Sequence, residues 1–348
     1  MLHAFLLSGD YLDLARAEIE YLLCLTNPRV MGRVLIYQGY VGENVRRLAL
    51  TKEVVKVFSI TSLDEINRSF EELAEYLSLT FCGKCCVRVK CFSLGSFGSE
   101  TRGAGKSEAD ASTEINTEKI DKVAMERELG AILWKKGVKI SVSSPDRIVR
   151  VYIFPDSTTI IGLLEFRLDT KQFSKRHPEK RPFFRPGVML PKLCRALVNI
   201  STLKGVFLDP LCGTGGFVIE ASLLGLRAVG VELYPDIAKG CRENLRYFSL
   251  SADVVCGNAA QLPLKDCSVD GIATDTPYYQ SSKSLYSRDE LLSKASEEFC
   301  RVLRVGGRAV VVTNCDCDFP SLKTLDEFRV RVHGSLTRRI YVLEKTGV

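Results

Sequence analysis

The stretch best suited to chemistry is Thr274-Asp275-Thr276-Pro277-Tyr278-Tyr279, at the end of a predicted strand. A carboxylate and the carbonyl that precedes a proline can each accept one hydrogen of an NH2 group. An aromatic ring can stack on a flat base. This order predicts a site that holds an amino-bearing base so that its exocyclic nitrogen can attack an electrophile. Asp275, Pro277 and Tyr278 are the predicted catalytic residues.

A glycine-rich loop lies upstream, in the run Asp209-Pro210-Leu211-Cys212-Gly213-Thr214-Gly215-Gly216. Glycine lets the backbone turn tightly beside a ligand, and the helix that follows offers unpaired N–H groups. The spacing differs from the G-x-G-x-x-G that seats a pyrophosphate. S-adenosylmethionine has no phosphate. Its amino group suits Asp209, and its carboxylate suits backbone N–H groups at Gly213 and Gly215.

Two more predicted strand ends carry polar side chains. Glu232 ends the next strand, 23 residues after Asp209, where an acid can bind both ribose hydroxyls of S-adenosylmethionine or of NAD. Asn258 follows the third strand, where it could contact an adenine edge. Four such strand ends together favour S-adenosylmethionine over NAD as the cofactor.

The elements around these motifs alternate between strands and helices, which predicts a doubly wound, mainly parallel sheet. The predicted strands are Gly205–Asp209, Ala228–Glu232, Ala252–Cys256, Gly271–Thr274 and Arg308–Thr313, and a closing hairpin is predicted from Phe328–His333 and Arg339–Leu343. The fold class is therefore α/β, with a Rossmann-like C-terminal domain over residues 191–348. Residues 1–65 are predicted as a small α+β domain and residues 66–167 as a second domain.

Bulk composition is that of an ordinary soluble protein, with 46% hydrophobic and 26% charged residues and no apolar run of transmembrane length. We therefore expect a cytoplasmic protein. The chain has thirteen cysteines but three histidines, and its single C-x-x-C lacks a second knuckle, so we predict no metal site.

Positive charge is concentrated in one segment, Lys171 to Arg195, which has eight basic residues and one acidic residue. Its net charge of +7 exceeds the +6 of the whole chain. Such a segment is typical of a polyanion partner, although a solvated linker is the alternative. We take residues 168–190 as a basic linker, and its predicted RNA-binding side chains are Lys171, Lys175, Arg176, Lys180, Arg181 and Arg185.

Several motifs resemble those of known RNA-modifying enzymes. The order of elements in residues 66–167, with Glu126 to Leu133 and Ser144 to Val151, resembles the THUMP domain, an RNA-binding module. Asp-Thr-Pro-Tyr resembles the D/N-P-P-Y motif of amino-methyltransferases. The segment from Lys180 to Leu193 resembles the pre-strand region of Rossmann-like RNA methyltransferases, in which an aromatic residue, here Phe184, covers the cofactor.

End to end, the chain resembles the archaeal and eukaryotic THUMP-domain tRNA (guanine(10)-N2)-methyltransferase family. The resemblance implies transfer of one or two methyl groups from S-adenosylmethionine to N2 of a guanosine in tRNA, with G10 as the expected target. It also implies a small zinc-binding activator subunit that pairs with an edge of the catalytic sheet. Ala309–Val312 is one hydrophobic segment that could serve, if it is not a buried strand.

Other functions stay open at this point. A related enzyme could modify a different tRNA guanine or ribosomal RNA, and an adenine-N6 DNA methyltransferase would share the catalytic motif. Thr276, Tyr279 and Asn258 depart from the residues usual in the family. These departures also allow a non-catalytic tRNA-binding protein that retains a degenerate methyltransferase fold.

Overall fold

The computed structural model describes residues 1–26, 28–93, 115–277, 287–333 and 336–347. The chain divides into two compact units. The first comprises Met1–Gly9, Leu25–Val45 and Thr51–Leu168, and the second comprises Asp10–Cys24, Arg46–Leu50 and Asp169–Val348. Strand β1 (Leu2–Leu7) therefore belongs to the first unit, whereas helix α1 (Leu12–Leu23), which follows it, belongs to the second.

An eight-stranded sheet forms the first unit, in the order β2-β3-β1-β4-β8-β7-β5-β6. The remaining strands are β2 (Arg29–Met31), β3 (Val34–Gln38), β4 (Thr51–Ser62), β5 (Lys84–Cys91), β6 (Lys139–Ile140), β7 (Arg147–Ile153) and β8 (Thr158–Arg167). Antiparallel pairing of β4 with β8 joins the strands of residues 1–65 to those of residues 66–167. The two predicted N-terminal domains thus contribute strands to one sheet.

Helices α2 (Ile66–Thr80) and α3 (Lys122–Lys135) cover part of this sheet. Their apolar side chains, among them Phe70, Leu73 and Leu133, pack against alternate residues of β5 and β7 such as Val87 and Val149. The alternation arises because successive side chains of a strand point to opposite faces. The fold of this unit thus follows from two periods, near 3.6 in the helices and 2 in the strands.

The second unit is built on a seven-stranded sheet in the order β11-β10-β9-β12-β13-β15-β14. Its strands are β9 (Val206–Asp209), β10 (Arg227–Glu232), β11 (Asp253–Cys256), β12 (Val269–Asp275), β13 (Leu303–Thr313), β14 (Lys323–His333) and β15 (Leu336–Glu344). The first five are parallel, and β15 runs antiparallel between β13 and β14. The predicted doubly wound sheet and its closing hairpin are confirmed.

Helices flank this sheet: α5 (Pro191–Ser201), α6 (Gly216–Leu223), α7 (Pro235–Tyr247) and α8 (Arg288–Val302), after the short α4 (Lys171–Lys175). From α8, Ala295 and Phe299 pack into a core with Ile272 of β12 and Val311 of β13. Ala309–Val312 is fully buried in β13, between β12 and β15, so it is not an edge segment. A fully apolar run is typical of such a central parallel strand.

Helix α1 is tied into the second unit by Glu18, a fully buried carboxylate. It accepts hydrogen bonds from the backbone N–H groups of Ala49 and Leu50, at 2.8 and 2.7 Å, and from Nδ2 of Asn199 on α5, at 2.7 Å. Burial raises the pKa of Glu18, and the three donors oppose that rise. A buried polar side chain this well bonded is costly to displace. These hydrogen bonds explain why α1 belongs to the second unit, although β1 and β2, its neighbours in sequence, belong to the first.

No helix within the described ranges combines the length and the apolar character needed to cross a bilayer.

Candidate active site

The site is assembled at one edge of the second sheet, where four parallel strands end. Asp209 ends β9, Glu232 ends β10, and Asp275 ends β12, while Asn258 follows β11 by two residues. The register places Gly230 opposite Asp209 and Glu232 opposite Cys256. In open α/β sheets, ligands bind beside the carboxyl ends of the strands, where the strand order reverses.

The glycine loop occupies this edge and adopts the conformations that its composition predicts. Gly213 has φ +50° and Gly215 has φ +89°, both in the left-handed region that favours glycine. A Cβ added to Gly215 would lie 2.6 Å from Sγ of Cys241, so the position also lacks space. Gly215 is the N-cap of α6, which directs the free N–H groups of that helix towards the loop.

Asp209 lies beneath the loop and is 1% exposed. Its Oδ1 accepts hydrogen bonds from Oγ1 of Thr274, at 2.8 Å, and from the backbone N–H of Leu211, at 3.2 Å. Burial raises the pKa of Asp209 to about 8, and those two donors limit the rise. Both hydrogen bonds described for this carboxylate go to Oδ1, which leaves Oδ2 for an ammonium group.

Glu232 is held by the backbone rather than by a cation. Its Oε2 accepts from the N–H of Gly213 and its Oε1 from the N–H of Tyr234, each at 3.0 Å. Burial raises the pKa of Glu232, while these donors and the charge of Arg185 lower it. A carboxylate fixed in this way beside the loop suits a ribose diol, because each oxygen keeps a lone pair for one hydroxyl.

Asn258 makes a local turn after β11. Its Oδ1 accepts from the N–H of Ala260 at 2.9 Å, and its carbonyl accepts from the N–H of Gln261 at 3.0 Å. The side chain therefore stabilises the loop itself through a common Asx-type contact. A contact between Asn258 and an adenine stays a prediction.

The segment that contains Phe183 and Phe184 is joined to the loop by Asn244 of α7, a residue outside every sequence motif. Oδ1 of Asn244 accepts from the N–H of Phe183, and Nδ2 donates to the carbonyls of Phe183 and Thr214, all at 2.9 Å. The Phe183 ring packs where a side chain on Gly240 would stand. Phe184 is left 43% exposed, and its contact with the cofactor stays a prediction.

Asp275 ends β12 with its side chain 20% exposed. Strand pairing continues one residue further, because the N–H of Thr276 donates to the carbonyl of Val312 at 2.9 Å. The Thr276 carbonyl, which precedes Pro277, therefore follows Asp275 on a chain held by the sheet. Tyr278 and Tyr279 lie outside the described residues.

Arg338 of β15 also reaches this edge, and no sequence motif pointed to it. Its Nη2 lies 3.8 Å from Oδ2 of Asp275 and donates to the carbonyl of Gly187 at 3.4 Å. A cation on the last strand of a hairpin carries no local signal, because its neighbour in space is 63 positions away in sequence.

The predicted RNA-binding side chains divide by burial. Lys171, Lys175, Lys180 and Arg185 are exposed. Arg176 is buried and forms a double hydrogen bond with Glu220 of α6, at 2.7 and 3.1 Å, and Arg195 pairs with the same carboxylate. Arg181 is 5% exposed, and its Nε donates to the carbonyl of Arg176. As a correction, Arg176 and Arg181 are buried in this structure: Arg176 neutralises Glu220, and Arg181 stabilises the backbone at Arg176.

The chemistry of this edge fits S-adenosylmethionine. Asp209 and Glu232 match its ammonium and its ribose diol, and the N-terminus of α6 matches its carboxylate. Phe184 is placed on the segment that Asn244 joins to the loop. The set has no basic side chain at the loop of the kind that a pyrophosphate would recruit among the described residues 209–216.

Comparisons with known proteins identify relatives of this chain. Residues 178–339 match the family described as RMKL-like, methyltransferase domain. The chain is 34% identical over 229 residues to the tRNA (guanine(10)-N2)-dimethyltransferase of Pyrococcus abyssi, covering 63% of this chain and 68% of the relative. It is 30% identical over 312 residues to the enzyme of the same name from Methanothermobacter thermautotrophicus, covering 86% and 84%.

Among solved structures, TrmN from Thermus thermophilus superposes with a TM-score of 0.52 at 20% identity, covering 99% of this chain and all of that one. At this identity, the similarity supports the fold alone.

Proposed function

The chain belongs to the family of tRNA (guanine(10)-N2)-dimethyltransferases, and on that premise we propose that it transfers methyl groups from S-adenosylmethionine to N2 of G10 in tRNA. The family name supports two transfers to the same nitrogen. The single observation that carries the proposal is the meeting of Asp209, Glu232 and Asp275 at one sheet edge, around a glycine loop.

The proposed chemistry assigns each residue a task. S-adenosylmethionine supplies an electrophilic methyl group on a sulfonium. The exocyclic N2 of guanine is a poor nucleophile, because its lone pair is delocalised into the ring. Asp275 and the Thr276 carbonyl accept its two hydrogens, which favours a pyramidal nitrogen and aims the lone pair at the methyl group. As the C–N bond forms, the C–S bond breaks with its electron pair going to sulfur, and the cationic N2 then releases one proton to water.

Tyr278 is proposed to stack on the guanine, which must be out of a helix to reach this edge. Phe184 is proposed to cover the cofactor. The four exposed basic residues of the linker, Lys171, Lys175, Lys180 and Arg185, are proposed to contact the tRNA backbone, together with the first unit, whose element order resembles the THUMP domain.

A zinc-binding activator subunit is part of the proposal. Such a partner would pair with an exposed edge of the seven-stranded sheet, whose two edge strands are β11 and β14. We favour β11, because Val255 and Cys256 are exposed there and a short parallel edge strand offers unpaired backbone groups. A cytoplasmic location, in contact with tRNA, completes the proposal.

The test is transfer of labelled methyl from S-adenosylmethionine to an unmodified tRNA transcript, with and without the activator, followed by nucleoside analysis. We expect N2-methylated and N2,N2-dimethylated guanosine, and loss of both when G10 is replaced. Label on another guanine would keep the chemistry and refute the position. Label in DNA or in adenine would refute the substrate.

The catalytic assignment is tested in the same assay with Asp275→Ala. We expect methyl transfer to fall by about 10³-fold or more while cofactor and tRNA affinities change little. Asp253→Ala is the matched control. Asp253 is exposed and begins β11, so it lies at the amino end of that strand, whereas the proposed site lies at the carboxyl ends. Equal activity in both variants would refute the site. Tight tRNA binding without any transfer by the wild type would identify a degenerate, non-catalytic protein.

A further inference from the structure

We propose that Arg338 is a positioning residue for methyl transfer: its guanidinium holds Asp275 through one oxygen and ties that carboxylate to the Pro186-Gly187 turn. The inference rests on the proposed function, because it takes Asp275 as the residue that binds the guanine amino group. It concerns a different strand and an interaction that the catalytic motif does not contain.

Topology brings Arg338 to the catalytic edge. Strand β15 runs antiparallel to β13, so its first residues lie beside the carboxyl end of β13, where Arg339 pairs with Thr313. Asp275 is opposite Val312 on the neighbouring β12. The antiparallel course of β15 therefore places Arg338 next to the end of β12, the fourth parallel strand along the chain.

The contact with Asp275 is partly shielded from water. Nη2 of Arg338 lies 3.8 Å from Oδ2 of Asp275, with 9% of the arginine side chain and 20% of the aspartate side chain exposed. Opposite charges at this distance favour the ionised carboxylate, and more so as water is excluded.

The same nitrogen links Asp275 to a second part of the site. Nη2 donates to the carbonyl of Gly187 at 3.4 Å, and Gly187 has φ +84°, which defines the turn three residues after Phe184. The segment that is to cover the cofactor and the carboxylate that is to hold the base thus share one guanidinium. Arginine suits this task because its planar fork presents several donors in fixed directions.

Other charged groups around Asp275 make the cation more important. Asp209, on the adjacent strand β9, interacts with Asp275 as a like charge, and this interaction contributes to the raised pKa of Asp209. Burial raises the pKa of the Cys194 thiol on α5, and the charges of Asp275 and Asp209 raise it further, so this thiol is neutral. The guanidinium of Arg338, 3.8 Å from Asp275, offsets the negative charge of this acidic group.

The test compares Arg338→Met and Arg338→Lys with the matched control Arg339→Met. Arg339 is the next residue of the same strand, so its side chain points to the opposite face of the sheet. It also pairs with acidic side chains, Glu327 at 2.9 Å and Asp316. For each variant, kcat and KM for tRNA are measured across pH, together with the dissociation constant of S-adenosylhomocysteine and the urea midpoint of unfolding.

For Arg338→Met we expect kcat to fall by about 10- to 100-fold with little change in KM, and the acid limb of the kcat profile to move up by about one pH unit. Arg338→Lys keeps the charge but cannot bridge both partners, so its acid limb should stay near that of the wild type while kcat stays reduced. Arg339→Met should match the wild type in both respects.

Two results would overturn the inference. One is an unshifted acid limb in Arg338→Met with kcat equal to that of Arg339→Met. The other is a fall in kcat that merely follows a fall in the urea midpoint and is the same for Arg338→Lys. If Asp275→Ala itself remained active, the proposed function would fail first, so the two failures are distinguishable.

Discussion

Lowering the pH from about 8 to about 6 is expected to weaken binding of S-adenosylhomocysteine by close to tenfold per pH unit, because Asp209 must lose a proton to hold the amino group of the ligand. Burial raises the pKa of Asp209 to about 8 in the free protein. The ionised fraction is then about one tenth at pH 7 and about one hundredth at pH 6, and each unit corresponds to about 1.4 kcal/mol of binding free energy.

The sign follows from linkage. A carboxyl whose pKa is raised in the free protein and falls on contact with an ammonium releases a proton on binding, so affinity increases with pH up to that pKa. Isothermal titration in two buffers of different ionisation enthalpy measures this release directly. We expect nearly one proton per ligand at pH 6 and a smaller fraction as the pH approaches 8.

The pKa of Glu232 is also raised by burial. Two variants and one further ligand distinguish the contribution of Asp209 to the pH dependence of binding from that of Glu232. Asp209→Asn should bind weakly and lose most of the proton release. Thr274→Val removes the donor at 2.8 Å, so the pKa of Asp209 should rise further and affinity at pH 7 should fall more than affinity at pH 8. Methylthioadenosine lacks the amino acid portion, so its binding should release no proton from Asp209. Affinity that is constant from pH 6 to 8, or full proton release in Asp209→Asn, would refute the reasoning.

Three further predictions concern the supports of the site. Gly215→Ala should lower the free energy of unfolding by about 1–3 kcal/mol and weaken cofactor binding, since φ is +89° and the new Cβ would meet Cys241; Gly213→Ala, with open space around it, should cost less in a urea titration. Asn244→Ala should lower the free energy of unfolding by about 2–4 kcal/mol, because it leaves backbone groups of Phe183 and Thr214 unpaired. A loss no larger than that of the exposed control Asn67→Ala would show that Asn244 does not stabilise this segment. Glu220→Gln should lower stability by about 3–5 kcal/mol, because Arg176 and Arg195 would both keep buried, uncompensated charges; an unchanged urea midpoint would show that this triad is not a stabilising element.

Local sequence patterns were sufficient for the catalytic sheet. Apolar runs that end in Asp209, Glu232 and Asp275, with helical stretches between them, predict parallel strands whose carboxyl ends meet at one edge, and the structure confirms that arrangement. The glycine loop was equally predictable, since left-handed backbone at Gly213 and Gly215 follows from the lack of a side chain. These features depend on residues close together in the chain, which is why the sequence alone determines them.

Contacts between distant parts of the chain needed the tertiary structure. The sequence shows that a residue is basic but not whether its side chain is buried. Arg176 and Arg181 were therefore indistinguishable from Lys171 in the sequence, and only the structure shows that Arg176 contacts Glu220 and that Arg181 is buried. Asn244 and Arg338 had no motif, because their partners lie 61 and 63 positions away. Helix α1 joins the catalytic unit through Glu18 for the same reason. The sequence determined the strands, the loop and the family, and the packing decided which polar side chains serve the site, because burial and pairing are properties of the folded chain as a whole.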